Sequence, residues 1–444
     1  MKIPELLAPA GSLAMLQTAL AFGADAVYAG QPRYSLRVRN NDFGDLKVIQ
    51  QGLDTAHASR ARFYVVSNIY AHDDKIRHYV NNMAPVIAMG PDALIMSDPG
   101  LIMLVRENWP DMPIHLSVQA NTVNAAAVRF WKTVGIDRVI LSRELSLEQV
   151  ANIRQECPDV EIEVFVHGAL CIAYSGRCLL SGYLNHRDAN QGSCSNSCRW
   201  DYKTLAGRVD ASGDVVAVDA TDAAYLLEES HRPGNLMPVE EDEHGTYILN
   251  SKDLRAIEHI AKLVDMGVDS LKIEGRTKST YYVARTVQCY RRAIDDAVTG
   301  RSFNTALLGQ LEGLANRGYT SGFFLRHTPE ATQNYLRGCS ESGRSVYVGD
   351  VVAFDTQRGL AQVRVKNCFA VGDWLEIISP AGNMDVHLSS MENAEAQPIS
   401  VAPGSGHTVW LPWPPSAVGA FVAHYLNLDS SVDRLLPSLN RYEN

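Results

Sequence analysis

A chain of 444 residues with 46% apolar composition can bury more than one core, and its formal charge of −10 argues against a surface given over to nucleic-acid phosphates, though a local basic patch is still allowed. No run of about 20 uninterrupted apolar residues is present to span a bilayer, and Pro9 and Gly11 break the N-terminal apolar run, so neither membrane insertion nor a signal peptide is expected. The expectation is a cytoplasmic protein, where thiols stay reduced and clustered cysteines act as ligands and not as disulfides.

From the N-terminus, one theme repeats: a short apolar strand ending in polar or glycine residues, then a helical segment. The strands fall at 5–9, 26–30, 63–68, 93–98, 114–120, 138–145, 162–168 and 270–276. Helical patterns such as 13–22 and 147–155 lie between them, the second opened by Ser146 as N-cap with Glu148 and Gln149 in its first turn. Eight apolar strands alternating with helices close most simply into a parallel barrel. The predicted fold is therefore an α/β chain whose residues 1–327 form a distorted (β/α)8, or TIM-type, barrel. An open doubly wound sheet is the runner-up, disfavoured because no G-x-G-x-x-G follows the first strand.

Strands seven and eight are separated by a long insertion, about 171–245, which holds a cysteine cluster and an acidic run at 228–243. Residues 253–266 read as the helix leading into strand eight, and 281–299 and 305–315 as helices after it. A linker follows at 328–344. From 345 to 427 short alternating strands with turn glycines predict a small β-barrel, and 428–444 form a tail.

Cys171, Cys178, Cys194 and Cys198 lie within 28 residues, half of the eight cysteines in the chain. Successive gaps of six, fifteen and three residues suit a soft metal or an iron–sulfur site held by one loop. Structural zinc is the alternative, although only the last pair approaches the tight knuckle such sites use. Cys157, Cys289, Cys339 and Cys368 carry no spacing signal.

In a barrel of this type the reactive groups sit where the strands end. Those positions give Glu5, Tyr28, Asn68, Ser97, Asp98, Gln119, Asn121, Arg143, Glu144, His167, Lys272, Glu274 and Arg276. His167, Glu274 and Asn121 are the candidate catalytic groups. Arg37 and Arg39, in the loop after strand two, join Arg143, Lys272 and Arg276 as candidate substrate-binding cations, suited to a carboxylate or an RNA backbone. Each has a plainer reading: His167 as a hydrogen-bonded structural histidine, Glu274 and Arg276 as a mutual ion pair, the loop arginines as a solvated charge run. A peptidase with Cys171 as nucleophile and His167 as base leaves three cysteines unexplained, and neither H-E-x-x-H nor G-x-S-x-G occurs.

The run Glu163-x-Phe165-x-x-Gly168-Ala169-Leu170-Cys171-x4-Gly176-x-Cys178-x-Leu180-Ser181 resembles the signature of the U32 collagenase-like peptidases. PELLAPAGS, GQPRYSLRVRN, IHLSVQAN, RVILSREL and SLKIEGR resemble a bacterial tRNA-hydroxylating branch of that family, over nearly the whole chain and least from 202 to 241. The resemblance implies prephenate-dependent, oxygen-independent conversion of the wobble uridine of tRNA to 5-hydroxyuridine. It implies a 4Fe–4S cluster on Cys171, Cys178, Cys194 and Cys198, prephenate as co-substrate, the tRNA anticodon loop as macromolecular partner and an unidentified electron donor. A peptidase acting on collagen-like or other peptides is the alternative. Prephenate is a dicarboxylate, so Arg37, Arg39, Arg143 or Arg276 suit it. The β domain or the basic segment 276–292 is expected to hold the tRNA.

Overall fold

A computed structural model describes residues 2–31, 33–36, 41–170, 177–178, 181, 206–209, 215–218, 225–228, 236–242, 245–247, 252–316, 318–325 and 345–426. Strands β1 (Glu5–Pro9), β2 (Ala26–Gly30), β3 (Arg62–Ser67), β4 (Ala93–Met96), β5 (Ile114–Leu116), β6 (Arg138–Ile140) and β7 (Glu161–Ala169) pair in sequence order, each parallel to the next. The eighth barrel strand, β14 (Ser270–Ile273), pairs in parallel with both β1 and β7 and closes the ring. The barrel expected from the eight apolar runs is present, because strands buried on both faces need a helical layer outside and each other inside.

That layer is supplied by α1 (Leu13–Ala21), α2 (Leu46–Ala58), α3 (Asp73–Ile76), α4 (Tyr79–Ala88), α5 (Pro99–Asn108), α6 (Ala125–Thr133) and α7 (Leu147–Glu156), followed by α8 (Ile260–Asp265), α9 (Thr280–Val298) and α10 (Ala306–Glu312). The helix starts are written locally. Ser12, Asp45, Asp98 and Asn124 each accept a first-turn backbone N–H, and Ser146 and Gln149 form a reciprocal capping box. Among the described residues no helix is long and apolar enough to cross a membrane.

Several expectations need correction: the sixth and eighth strands end at Ile140 and Ile273, short of the expected 145 and 276. Residues 253–266 are not one helix: β13 (Asp253–Arg255) runs antiparallel to β7, a 3-10 turn follows at Ile257–His259, and only then does α8 begin. Strand β15 (Tyr319–Thr320) pairs with β13, so a short sheet extends from the rim of the barrel beyond β7. The fifth strand also stops early. Ser117 accepts the N–H of Gln119, a 3-10 turn spans Val118–Ala120, and Asn121 adopts a left-handed conformation with φ 52° that ends the extended run. The long insertion contains β8 (Ala206–Val209), β9 (Val215–Val218), β10 (Tyr225–Glu228), β11 (Leu236–Asp242) and β12 (Gly245–Tyr247), with β8 antiparallel to β9 and β11 antiparallel to both β10 and β12.

The C-terminal unit is a separate antiparallel domain. Strands β16 (Ser345–Asp355), β17 (Leu360–Val365), β19 (Trp374–Ser379), β20 (Gly382–His387), β22 (Thr408–Leu411) and β23 (Phe421–Tyr425) form one sheet, beside a pair made by β18 (Phe369–Ala370) and β21 (Val401–Ala402). It has its own core around Val348, Val363, Leu375, Leu411 and Trp413. It docks on α9, where Arg285, 1% exposed, is paired with both carboxylate oxygens of Glu376. Gln288 donates to the Ser379 carbonyl at 2.9 Å, Asn383 donates to Glu376 at 2.8 Å, and Tyr281 stacks on Tyr347 with ring centroids 4.7 Å apart.

Candidate active site at the barrel mouth

The barrel interior is charged where Val, Ile and Leu would be ordinary. Glu5 on β1 meets Arg138 on β6 at 2.6 Å, Tyr64 on β3 at 2.7 Å and Ser270 on β14 at 3.1 Å. β3 and β6 are not neighbours of β1, so these side chains meet inside the ring. Arg138 also holds Glu161 at 2.8 Å and Glu163 at 3.1 Å, and Glu163 accepts from Lys272 at 2.8 Å. Burial alone would raise the Glu163 carboxyl, yet Lys272 and Arg138 together hold it below the usual carboxylate range. His115, edge-on to Tyr64 at 4.6 Å, is kept neutral by burial and then by Arg138 and Lys272, which push its pKa well down. Glu5, Arg138, Glu161 and Ser270 are the first residues of their strands. This network therefore closes the floor of the barrel, and Glu5 stands at the opposite end from the mouth where strand ends were expected to place it.

Above the floor lies a row of alternating cations and rings. The Arg143 guanidinium covers Phe165 at 3.9 Å from its centroid, and Lys272 Nζ lies 5.4 Å from the same ring. Lys272 lies 4.5 Å from the Tyr28 centroid, and Arg276 caps that ring at 5.5 Å. Three of the five candidate cations are thus brought together: Arg143, Lys272 and Arg276. Arg143 is steadied by the Ala169 carbonyl at 2.6 Å and Arg276 by Ser35 Oγ at 2.9 Å. Gly30, the last residue of β2, makes room for this: a Cβ there would lie 2.6 Å from Ser35 Oγ and 2.8 Å from Arg276 Nη1. Arg37 and Arg39 lie outside the described residues.

Tyr28 joins strand ends across the seam. Its hydroxyl donates to the Ile273 carbonyl at 2.9 Å and to Glu274 Oε2 at 3.2 Å. Burial and the nearby Glu274 carboxylate push the phenol well above its ordinary pKa, so it stays a proton donor. Glu274 therefore faces Tyr28 beside the cation row. Asn121 stands on the other side of the mouth, accepting from Ser142 Oγ at 2.9 Å and so tying the loop after β5 to the loop after β6.

His167 is elsewhere. Strand alternation would put it on the same inward face as Glu163 and Phe165. β14 pairs Lys272 with Phe165 but Ile273 with His167, leaving Val166 as the extra residue of a bulge. The imidazole is turned into a cage of Tyr282, Tyr290 and Tyr319, with ring centroids 5.8, 5.5 and 5.5 Å away, and burial pulls its pKa down to about 3. Its Nδ1 lies 3.3 Å from the Tyr290 hydroxyl.

Of the four clustered cysteines, Cys171, Cys194 and Cys198 lie outside the described residues, and Cys178 is a half-buried free thiol. Its neighbour Arg177, which is exposed, is close enough to Tyr70 to oppose the upward shift that burial gives the phenol. Tyr70 in turn donates to the Gln119 carbonyl at 2.7 Å. The Arg177 side chain is therefore near Tyr70, which joins the loops after β3 and β5.

The regions expected to hold tRNA phosphates carry few exposed cations. Described residues 345–426 contain Arg358, Arg364 and Lys366 against seven carboxylates, and Arg358 and Arg364 pair with Glu392 and Asp350. In segment 276–292, Arg285 is buried on Glu376 and Arg291 contacts Asp25 and Asp295.

Comparison with known proteins adds identity to this geometry. Residues 11–334 match the model of "Peptidase family U32", and residues 344–422 match that of "Peptidase family U32 C-terminal domain". The chain is 57% identical over 427 residues to "tRNA hydroxylation protein P" of Escherichia coli, covering 93% of this chain and 94% of that one. It is 54% identical over 429 residues to the protein of that name from Haemophilus influenzae, covering 92% and 93%. It is 33% identical over 354 residues to the "23S rRNA 5-hydroxycytidine C2501 synthase" of Escherichia coli, covering 80% of this chain and 47% of that one.

Proposed function

This chain belongs to peptidase family U32, and from that premise we propose that it hydroxylates RNA, converting the wobble uridine of tRNA to 5-hydroxyuridine in a reaction that depends on prephenate and not on molecular oxygen. The names of its relatives, tRNA hydroxylation and 5-hydroxycytidine synthesis, support the class of reaction. The observation that carries the co-substrate is the row Arg143, Phe165, Lys272, Tyr28, Arg276. Two guanidinium groups flanking two aromatic faces suit a dicarboxylate with an unsaturated ring, by charge at its ends and stacking along its middle. A pyrimidine hydroxylated at C5 has to leave the anticodon stack, and a barrel mouth lined with rings and hydrogen-bonding side chains can receive it. Tyr28 and Glu274 then serve as a proton-holding pair at the rim, and Asn121 with Ser142 as polar contacts for the base.

Cys171, Cys178, Cys194 and Cys198 would hold a 4Fe–4S cluster, four soft thiolates being the ordinary donor set for one. When bound, such a cluster supplies one-electron transfer or support, since four cysteine ligands leave no iron open. The electron donor is a separate protein or small molecule, and the site of action is the cytoplasm. The peptidase alternative loses ground at His167, whose ring is shut among tyrosines and away from the mouth.

Loss of the gene should remove 5-hydroxyuridine-derived nucleosides from total tRNA, read by mass spectrometry. An unchanged nucleoside profile overturns the assignment. Protein purified without oxygen should carry iron and sulfide with broad visible absorbance, and one zinc per chain with no iron would replace the cluster by a structural site.

A further inference from the structure

We propose that Lys272 is a nucleophile that forms an imine with the carbonyl of a 2-oxo acid bound at the mouth, the neighbouring carboxylate being held by Arg143 or Arg276. The inference rests on the reading that the co-substrate is a carboxylate with a 2-oxo group, as prephenate is.

Lys272 occupies the third of the four positions of β14, above the ionic floor and beneath the rings of Tyr28 and Phe165. Its side chain is only 4% exposed, so the amine is held without a full shell of water. Arginine side chains stand on both sides of it along the row, over Phe165 and over Tyr28. A 2-oxo acid carries its carbonyl one bond from its carboxylate, so a carboxylate on either guanidinium brings the carbonyl carbon toward Nζ.

A nucleophilic amine has to lose a proton first, and the acceptor is in place: Glu163 Oε1 at 2.8 Å. That transfer leaves no orphan charge, because Arg138 still faces Glu5 at 2.6 Å and Glu161 at 2.8 Å when Glu163 becomes neutral. Burial also lowers the ammonium pKa, against the pull of Glu163.

The step balances. The neutral Nζ attacks the carbonyl carbon, forming the C–N bond while the π pair moves to oxygen, which takes up a proton given up by the now positively charged nitrogen. The carbinolamine then expels water as the nitrogen lone pair forms C=N, with the second proton returned by Glu163. Ammonium and ketone become iminium and water, Glu163 ends as a carboxylate, and nothing is oxidised or reduced. The product is a co-substrate tethered below the base that is to be modified.

The test is reductive trapping on the full-length, anaerobically purified chain. Incubation with pyruvate or with prephenate in the presence of cyanoborohydride, followed by peptide mass mapping, should place a secondary-amine adduct on Lys272. The adduct should be lost in K272R, which keeps the cation and the ion pair, and should fall in E163Q. Circular dichroism checks that each variant is folded. Adducts confined to surface lysines, or equal labelling of wild type and K272R, overturn the proposal. Nucleosides from cells carrying the wild-type chain separate the two failures: if 5-hydroxyuridine depends on the gene and Lys272 is never trapped, the imine alone is wrong.

Discussion

Glu163→Ala is expected to cost about 3–5 kcal/mol of barrel stability, the usual effect of stripping one partner from a buried ion pair. The carboxylate is 0% exposed and faces two cations, Arg138 at 3.1 Å and Lys272 at 2.8 Å. Removing it takes from the buried Lys272 ammonium the carboxylate at 2.8 Å, while Arg138 keeps Glu5 and Glu161. The denaturant midpoint of the barrel transition reads the loss, and a midpoint within error of wild type would show the floor network to be energetically idle. The same carboxylate sets a pH dependence. Its folded pKa lies below the unfolded value of about 4.3. Its contribution is therefore complete above that unfolded value and disappears as the pH falls through the lower, folded one. Wild type should lose stability along that acidic limb more steeply than Glu163→Ala does.

Arg285→Met should have an effect of similar size, about 3–5 kcal/mol, but at the join between the two domains. Among the described residues Glu376, 5% exposed in the wild-type chain, would keep the Asn383 amide as its one side-chain donor. Wild type should unfold in one calorimetric transition, because α9 belongs to the barrel and its side chains Tyr281, Arg285 and Gln288 to the interface. In the variant the C-terminal domain should melt first, as a separate earlier peak. A double variant that also carries Glu376→Leu should recover much of the loss, since replacing both partners by apolar groups avoids the unpaired charge. A single unshifted transition in Arg285→Met would contradict this account of the interface.

Much of the barrel was legible because its signals are local. Apolar runs mark strands, and a serine followed by glutamine three residues on marks the start of α7. What escaped was decided by contacts distant in sequence. Asp253–Arg255 is three residues long with two charges, and its pairing with 167–169 on one side and Tyr319–Thr320 on the other makes it a strand. Glu5 was read as a mouth residue because strand β1 was short enough to blur its two ends. The inward charges of Arg138 and Glu163 could have been found, since a charged residue inside an apolar strand has to be answered by another strand. The row of cations was half visible: Arg143, Lys272 and Arg276 were picked by strand position, while the intervening rings of Tyr28 and Phe165 come from strands that only the closed ring brings together. His167 was misdirected by one extra residue, a shift that leaves no mark in composition.

The antiparallel ladder between β7 and β13 pairs Ala169 with Asp253, so the chain leaves the barrel and re-enters it at a single point. On its other side β7 approaches the residue after β14 closely at Gly168, for at φ 112° a Cβ there would lie 2.7 Å from the Glu274 carbonyl oxygen. The residues from 170 to 252 are joined to the barrel, at both ends of the segment, through the ladder of β7 and β13. Lengthening such an excursion costs little, about 0.6 kcal/mol for each doubling. The barrel's register does not depend on what the excursion contains. A change in the length of the segment between β7 and β13 is therefore expected to leave both strands, and the strands that pair with them, in register.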